Sequence, residues 1–407
     1  MFLKSFRLVF VLLLIGLLSV GFAWGEQKKA WKIGVAVSLT GVFGKDGSLV
    51  KDAYTLWQET VNSHGGVNGA SVEIIFYDDK SDPATTAKLT EQLIVSDKVD
   101  LLLGGFGSSQ LFAASPVAEK YQYPLISGGA SSNKLFDRGF KYYFSTLGKA
   151  TEEVRGCVDI FTAVNPKPKT AAIVGADILF TSLACEGYKK YCESNGIEVI
   201  HHELFPMALQ DYNSLLMKVK NKNPDILLVG SHLLVAMKTI KAMKEIDFNP
   251  KAVAFSYGPT VPKFVEDLKG DANYVIAASE WTPNMPYSGK VFGKASEFNQ
   301  LYLKRFSRSP DYVEAAAAGG AVAQQIVIEE LGLKPPLNKE NRIKIMEALH
   351  KDKFETFYGK IEFGADGANE AHPPVAVQIQ SGKLENVFPL EFAEAKILYP
   401  FKPWKER

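Results

Sequence analysis

At 407 residues the chain is too long for one small domain and suits two domains of roughly 150 to 200 residues each. Its 46 Lys and Arg nearly balance 45 Asp and Glu, which argues against a basic surface built to hold nucleic acid. Three cysteines without a C-x-x-C pair exclude a disulfide-dense scaffold and give no sign of a thiolate zinc or redox site.

The N-terminus stands apart from that composition. Lys4 and Arg7 precede an apolar run from Leu8 to Leu18, and small residues follow at Gly21, Ala23 and Gly25. This is the layout of a secretory signal over residues 1–25, cleaved after Ala23 or Gly25. The run is short for a membrane span, and an uncleaved anchor is the alternative. No cysteine lies near the cleavage region to carry a lipid. Loss of Lys4 and Arg7 lowers the formal net charge from +1 by two. The mature chain has no further apolar stretch of membrane length and is expected to be soluble outside the cytoplasmic membrane.

Beyond the signal, short apolar runs alternate with amphipathic stretches. Trp31 to Val37, Val72 to Tyr77, Asp100 to Leu103 and Tyr123 to Ile126 have the Ile, Val and Leu content of buried strands. Between the first two, Val50, Ala53, Trp57 and Val61 recur at helical spacing, and Gly65-Gly66 ends the helix. Asp82-Pro83 opens a second helix, with Leu89 and Leu93 on its inner face. Alternating helix and strand predict a parallel sheet.

The rhythm restarts after residue 150. Val154, Val158 and Phe161 form a helical stripe. Thr170 to Val174, Ile197 to His201, Asp225 to Val229, Ala252 to Phe255 and Tyr274 to Ala277 follow as strands at intervals of roughly one βα unit. Helices are expected at 290–306, 312–331 and 343–349, and late strands at 357–363 and 374–379. The fold class is therefore α/β, with two Rossmann-like doubly wound lobes. Ser145 to Ala150 and Ser279 to Ser288 are the candidate connections between them.

Gly105-Phe106-Gly107 lies between a strand and a helix, the context of a dinucleotide fingerprint. Gln110 holds the third glycine position, however, and no acidic residue follows the next strand to hold a ribose. Phosphate-loop and nucleophile-elbow patterns are absent. His201 and His202 point to opposite faces of one strand and do not grip one metal together. Cys185 and Cys192 lie about 10.5 Å apart along one helix, too far for a disulfide; Cys157 either pairs with one of them or is a buried thiol. No enzyme activity, cofactor or metal is expected.

In an open α/β sheet the ligand lies beyond the carboxyl ends of the strands. The loops there are rich in Gly, Ser and Thr. Ser108-Ser109 at a helix start offers hydroxyls and free backbone N–H groups to a carboxylate, or caps the helix. Gly129-Ala130-Ser131-Ser132, one βα unit later, favours a shared anion pocket.

At this point the chain resembles a family. Ser38-Leu39-Thr40-Gly41, Asn62 to Gly69 (NSHGGVNG), Tyr77-Asp78-Asp79, Asp82-Pro83, Leu103 to Ser109 and Tyr123-Pro124-Leu125-Ile126-Ser127 are similar to the type I periplasmic solute-binding proteins of ABC transporters, branched-chain amino acid (Leu/Ile/Val) class. The resemblance implies a monomeric, periplasmic receptor with lobes joined by three crossovers, near 146–150, 280–288 and 362–370. Lobe 1 would comprise 26–148 plus 282–364, and lobe 2 would comprise 149–281 plus 365–407. A small organic ligand bearing a carboxylate, either an amino acid or an apolar or aromatic acid, would be clamped between them. Its partners would be the permease subunits in the membrane; a sensing role beside a membrane receptor is the alternative.

Carried over by position, the resemblance implies that Ser108, Gly129, Ala130 and Ser131 hold the carboxylate, beside Ser109. Phe180 and His232 fall where tyrosines are usual, and Asp46 replaces an aromatic residue. Phe106, Tyr257 and Trp281 add aromatic walls. The acid expected near Ser256 to Pro259, which would pair with a ligand ammonium, is absent. Either Asp46 or Glu280 supplies that charge, or the ligand has no ammonium.

Overall fold

The apolar runs become the centres of two sheets because their Ile, Val and Leu side chains are covered on both faces by helices. A computed structural model describes residues 30–407; the expected signal segment lies outside the described residues. The first sheet contains β1 (Trp31–Val37), β2 (Val72–Asp78), β3 (Leu101–Leu103), β4 (Leu125–Ser127) and β5 (Tyr143–Ser145). Its order is β2-β1-β3-β4-β5 and every pairing is parallel. Helices α1 (Gly44–Ser63), α2 (Pro83–Val95) and α3 (Ser108–Tyr121) connect the strands. Asp82 caps α2 by accepting from Thr85 N at 2.7 Å. Gly65 and Gly66, at φ 95° and 78°, turn the chain out of α1.

The chain then crosses through the short helices α4 (Ala150–Glu153) and α5 (Gly156–Asp159) into a second sheet. Its parallel strands are β6 (Thr170–Ala176), β7 (Glu198–Phe205), β8 (Ile226–Gly230), β9 (Ala252–Phe255) and β10 (Ile276–Ser279), linked by α6 (Leu179–Ser194), α7 (Tyr212–Asn221), α8 (Leu233–Glu245) and α9 (Pro262–Leu268). After β10 the chain returns to the first lobe. There it forms a two-stranded ribbon, β11 (Ser288–Gly289) with β12 (Gly293–Lys294), where the sequence suggested the start of a helix. It continues as α10 (Ala295–Phe306), α11 (Tyr312–Glu330), α12 (Lys339–Lys351) and a hairpin of β13 (Lys353–Thr356) with β14 (Gly359–Glu362). A third passage leads to β15 (Val375–Gln380) and β16 (Lys383–Phe388), both antiparallel to their neighbours. The second sheet, ordered β16-β15-β10-β9-β8-β6-β7, is therefore mixed and not purely parallel. Strands that arrive through a tight turn, as β16 does, can only run antiparallel.

Buried α11 spans the back of the first lobe against α1 and β4. Trp57 on α1 donates to Gln325 Oε1 on α11 at 2.9 Å. The approach to β4 is close enough that a Cβ on Gly128 would overlap the backbone of Ala317. Cys157, Cys185 and Cys192 are all buried free thiols, which resolves the pairing left open by the sequence.

Candidate functional site

Both sheets reverse their strand order, between β1 and β3 in the first and between β6 and β8 in the second. At such a reversal the loops diverge and open a crevice. The two crevices face each other. Phe43 after β1 lies 5.8 Å from Phe106 after β3, and His232 after β8 lies 5.0 Å from Phe43, 5.7 Å from Phe106 and 5.3 Å from Phe180 (ring centroids). Tyr257, on the loop after β9, is 6.0 Å from Phe106. These rings close the cleft across the lobes.

One wall is polar. The backbone at Gly107, at φ 101°, takes a conformation open to glycine and starts α3 at Ser108. Ser108 Oγ accepts from Ser131 N at 3.3 Å and from Ser132 N at 3.1 Å, which stitches the two serine turns together. A hydroxyl that accepts twice still has its own proton to donate. It lies in the first turn of α3, where backbone N–H groups lack intrahelical acceptors and the helix dipole favours an anion. Ser145 Oγ donates to Ala130 O at 2.8 Å and holds the second turn in place.

The cavity between the turns and the rings measures about 20 Å³, room for about one water. Of the side chains expected at the site from sequence, the structure gathers Phe106, Ser108, Gly129, Ala130, Ser131, Phe180, His232 and Tyr257 on its wall. Ser109 is on α3 but off the wall. Trp281 is buried elsewhere, its Nε1 donating to Phe357 O at 3.0 Å and its ring edge-on to Phe298. Asp46 is buried on α1 and turned toward Asp311, with Oδ1 unpartnered. Burial, then the neighbouring Asp311, pushes its pKa up to about 7. Glu280 also lies off this wall: its carboxylate accepts from Gly148 N at 2.9 Å and from Tyr358 OH at 2.6 Å, and burial raises its pKa to about 7.

The wall contains residues that sequence reasoning missed, namely Leu147, Glu153, Tyr312 and Val313. Glu153 ends α4, which docks because Ala150 N donates to Ser131 O at 2.8 Å. Among the described residues no Lys or Arg lines the cavity. His232 is neutral near pH 7, since burial lowers its pKa to about 4.

The passages between the sheets meet beside this wall. Asn369 Nδ2 donates to Thr146 O at 2.9 Å, and His372 Nδ1 donates to the carbonyl of Glu280 at 3.1 Å. All three passages between the sheets thus meet around Glu280, beside a larger cavity of about 320 Å³.

Residues 30–383 match the family model described as "Periplasmic binding protein". The chain belongs to this family. It is 28% identical over 343 residues to the leucine-, isoleucine-, valine-, threonine- and alanine-binding protein of Pseudomonas aeruginosa, covering 83% of this chain and 86% of the relative. Among solved structures, the branched-chain amino acid transporter substrate-binding protein LivJ from Streptococcus pneumoniae, in complex with isoleucine, superposes with a TM-score of 0.76 at 21% identity, covering 91% of this chain and 100% of that one. An ABC-transporter solute-binding protein from R. palustris in complex with benzoate gives a TM-score of 0.77 at 17% identity, covering 90% and 98%. Likeness at these identities shows the two-lobed type I fold.

Proposed function

We propose that this periplasmic binding protein is the extracytoplasmic receptor of an ABC importer, exported by its N-terminal signal, which takes up a small carboxylate-bearing solute and delivers it to a membrane permease without turning it over. The observation that carries this reading is the pair of serine turns at the start of α3. Ser108, with Ser109 behind it, and Gly129, Ala130 and Ser131 offer neutral donors and a helix N-terminus to an anion. The rings of Phe106, Phe180, His232 and Tyr257 offer it an apolar bed that belongs to both lobes. Lobes built from 26–148 plus 282–364 and from 149–281 plus 365–407 would open with the passages between them as a hinge, admit the solute and close on it. Binding would thereby shift an open–closed equilibrium that the permease reads. Such a receptor needs no other copy of itself and acts as a monomer.

The test is a thermal-shift screen of amino acids, aromatic acids and short aliphatic acids on the mature chain, since a ligand that binds only the native state raises Tm. A carboxylate that raises Tm of the native chain and fails with Ser108→Ala/Ser131→Ala supports the reading. A shift that survives both substitutions removes the assigned site.

A further inference from the structure

Glu153 is 4% exposed, and neither carboxylate oxygen has a partner at ordinary hydrogen-bond length, although the Ser131 hydroxyl lies near enough to favour its charged form slightly. A carboxylate in that condition is costly unless a cation reaches it. Among the described residues no side chain does so. Lys149, one turn away, is committed to Asp366 at 2.6 Å, and Arg155 to Asp159 at 2.8 Å. Around Glu153 stand Glu280, whose oxygens are both engaged, and the hydroxyls of Ser131, Tyr312 and Tyr358. These add negative charge or dipoles and no cation. The loop after β9, Ser256 to Pro259, holds no acid, and Asp46 faces Asp311 off the wall. Glu153 is thus the acid on the cavity wall, beside Ser131 of the serine turns.

We infer that the solute carries an ammonium group as well as a carboxylate, and that Glu153, on the first passage between the lobes, is the specificity-determining counter-ion for it. The inference rests on the carboxylate site proposed above and adds a second charge to it. Burial, then the neighbouring Glu280, favours the protonated form of the Glu153 carboxyl while no cation is present. The arriving ammonium then takes the place of that proton, which leaves to solvent, and an ion pair forms at the hinge itself. A merely structural glutamic acid would neither release a proton on binding nor distinguish ligands by their amine.

The experiment is titration calorimetry on the mature chain with paired probes, L-leucine against isocaproate and L-phenylalanine against hydrocinnamate, each pair differing by the amine. The amine-bearing member should bind at least about ten-fold tighter. Its binding heat should vary with the ionisation enthalpy of the buffer, reporting proton release. Glu153→Gln, an isosteric change checked by circular dichroism, should cost that member about ten-fold or more and abolish the buffer dependence; Glu153→Asp should restore part of both. Equal affinity for the two members of each pair, or an amine preference that survives Glu153→Gln, overturns the inference and leaves the carboxylate site standing. Failure of both members of both pairs, and of benzoate, to bind overturns the carboxylate reading and this inference with it.

Discussion

Thr260 Oγ1, on the loop after β9, donates to Asp311 Oδ2 at 2.8 Å. Thr260 belongs to the second sheet's lobe, and Asp311 caps α11 of the first by accepting from Val313 N at 2.5 Å. The bond is buried at both ends and ties the loop after β9 to the start of α11, so parting these two segments would have to break it. Thr260→Val keeps the shape, removes the donor and leaves a buried acceptor short of a partner, at a cost of about 1 to 3 kcal/mol. The closed population should fall. Small-angle scattering should show a larger radius of gyration and calorimetry a ligand affinity weakened about five-fold or more; unchanged scattering and affinity would show that the bond is not a latch.

Ser108→Ala and Ser131→Ala should each weaken a carboxylate ligand by about ten-fold, the size of a lost hydrogen bond to a charged group. Ser108→Ala also takes the acceptor from Ser131 N and Ser132 N, so it should lower the stability of the unliganded fold by about 1 to 3 kcal/mol, whereas Ser131→Ala keeps those backbone bonds and should change it less. Dissociation constants measured beside melting temperatures separate the two effects.

Asp46 sets a pH dependence with a definite sign. Its folded pKa of about 7 stands above the unfolded value of 3.8. The stability associated with its protonated form is therefore complete below pH 4 and is lost as pH rises toward 7. The three-unit rise is worth on the order of 4 kcal/mol. Asp46→Asn removes the ionisation, so its stability relative to the native chain should climb between pH 4 and pH 7 and then level off. Urea unfolding at pH 4, 6 and 8 checks this. A constant difference across that range would mean that Asp46 is charged in the fold.

Gly128 permits the backbone of α11 to rest against the end of β4. In Gly128→Ala the added methyl meets main-chain atoms that cannot rotate away. Overpacking of this kind costs about 1 to 3 kcal/mol or more. Tm should drop by several degrees, with a further loss of ligand binding because Gly129 and Ser131 follow in the same turn. A variant with unchanged Tm would show that α11 can shift at little cost.

Much of the fold is legible in local pattern. The limits of β1 and β9, Trp31–Val37 and Ala252–Phe255, follow from apolar runs bounded by turn residues, and the cap at Asp82 follows from Asp-Pro. Where pattern is short or polar, it fails. Strand β5 has three residues, too few to show a period. Strand β16 reads KLENVF, whose polar positions hide an edge pairing made only through β15. Helix α10 starts at Ala295 and not near 290 because Gly289 and Gly293 fold back as a ribbon.

The serine turns were legible for the same local reason: Ser108 and Ser131 each follow a strand in the place where an α/β sheet holds its ligand. The acidic side of the cleft was not. Asp46, Glu280 and Glu153 are all buried acids, and nothing in their neighbouring residues ranks them. Glu153 sits in the stretch ATEEVRG, which has the composition of a solvated helix. It becomes a wall of the cavity because Ala150 is tied to Ser131 and because Tyr312 and Tyr358 arrive from more than 150 positions away. Trp281 looked like a wall and is core, since Phe298 and Phe357 reach it first. Sequence by itself determined the α/β class, the alternation of helix and strand and the two serine turns, because those depend on residues adjacent in the chain. The tertiary structure alone decided which acid faces the cleft without a partner, because burial and pairing are set by segments that meet only when both lobes are folded.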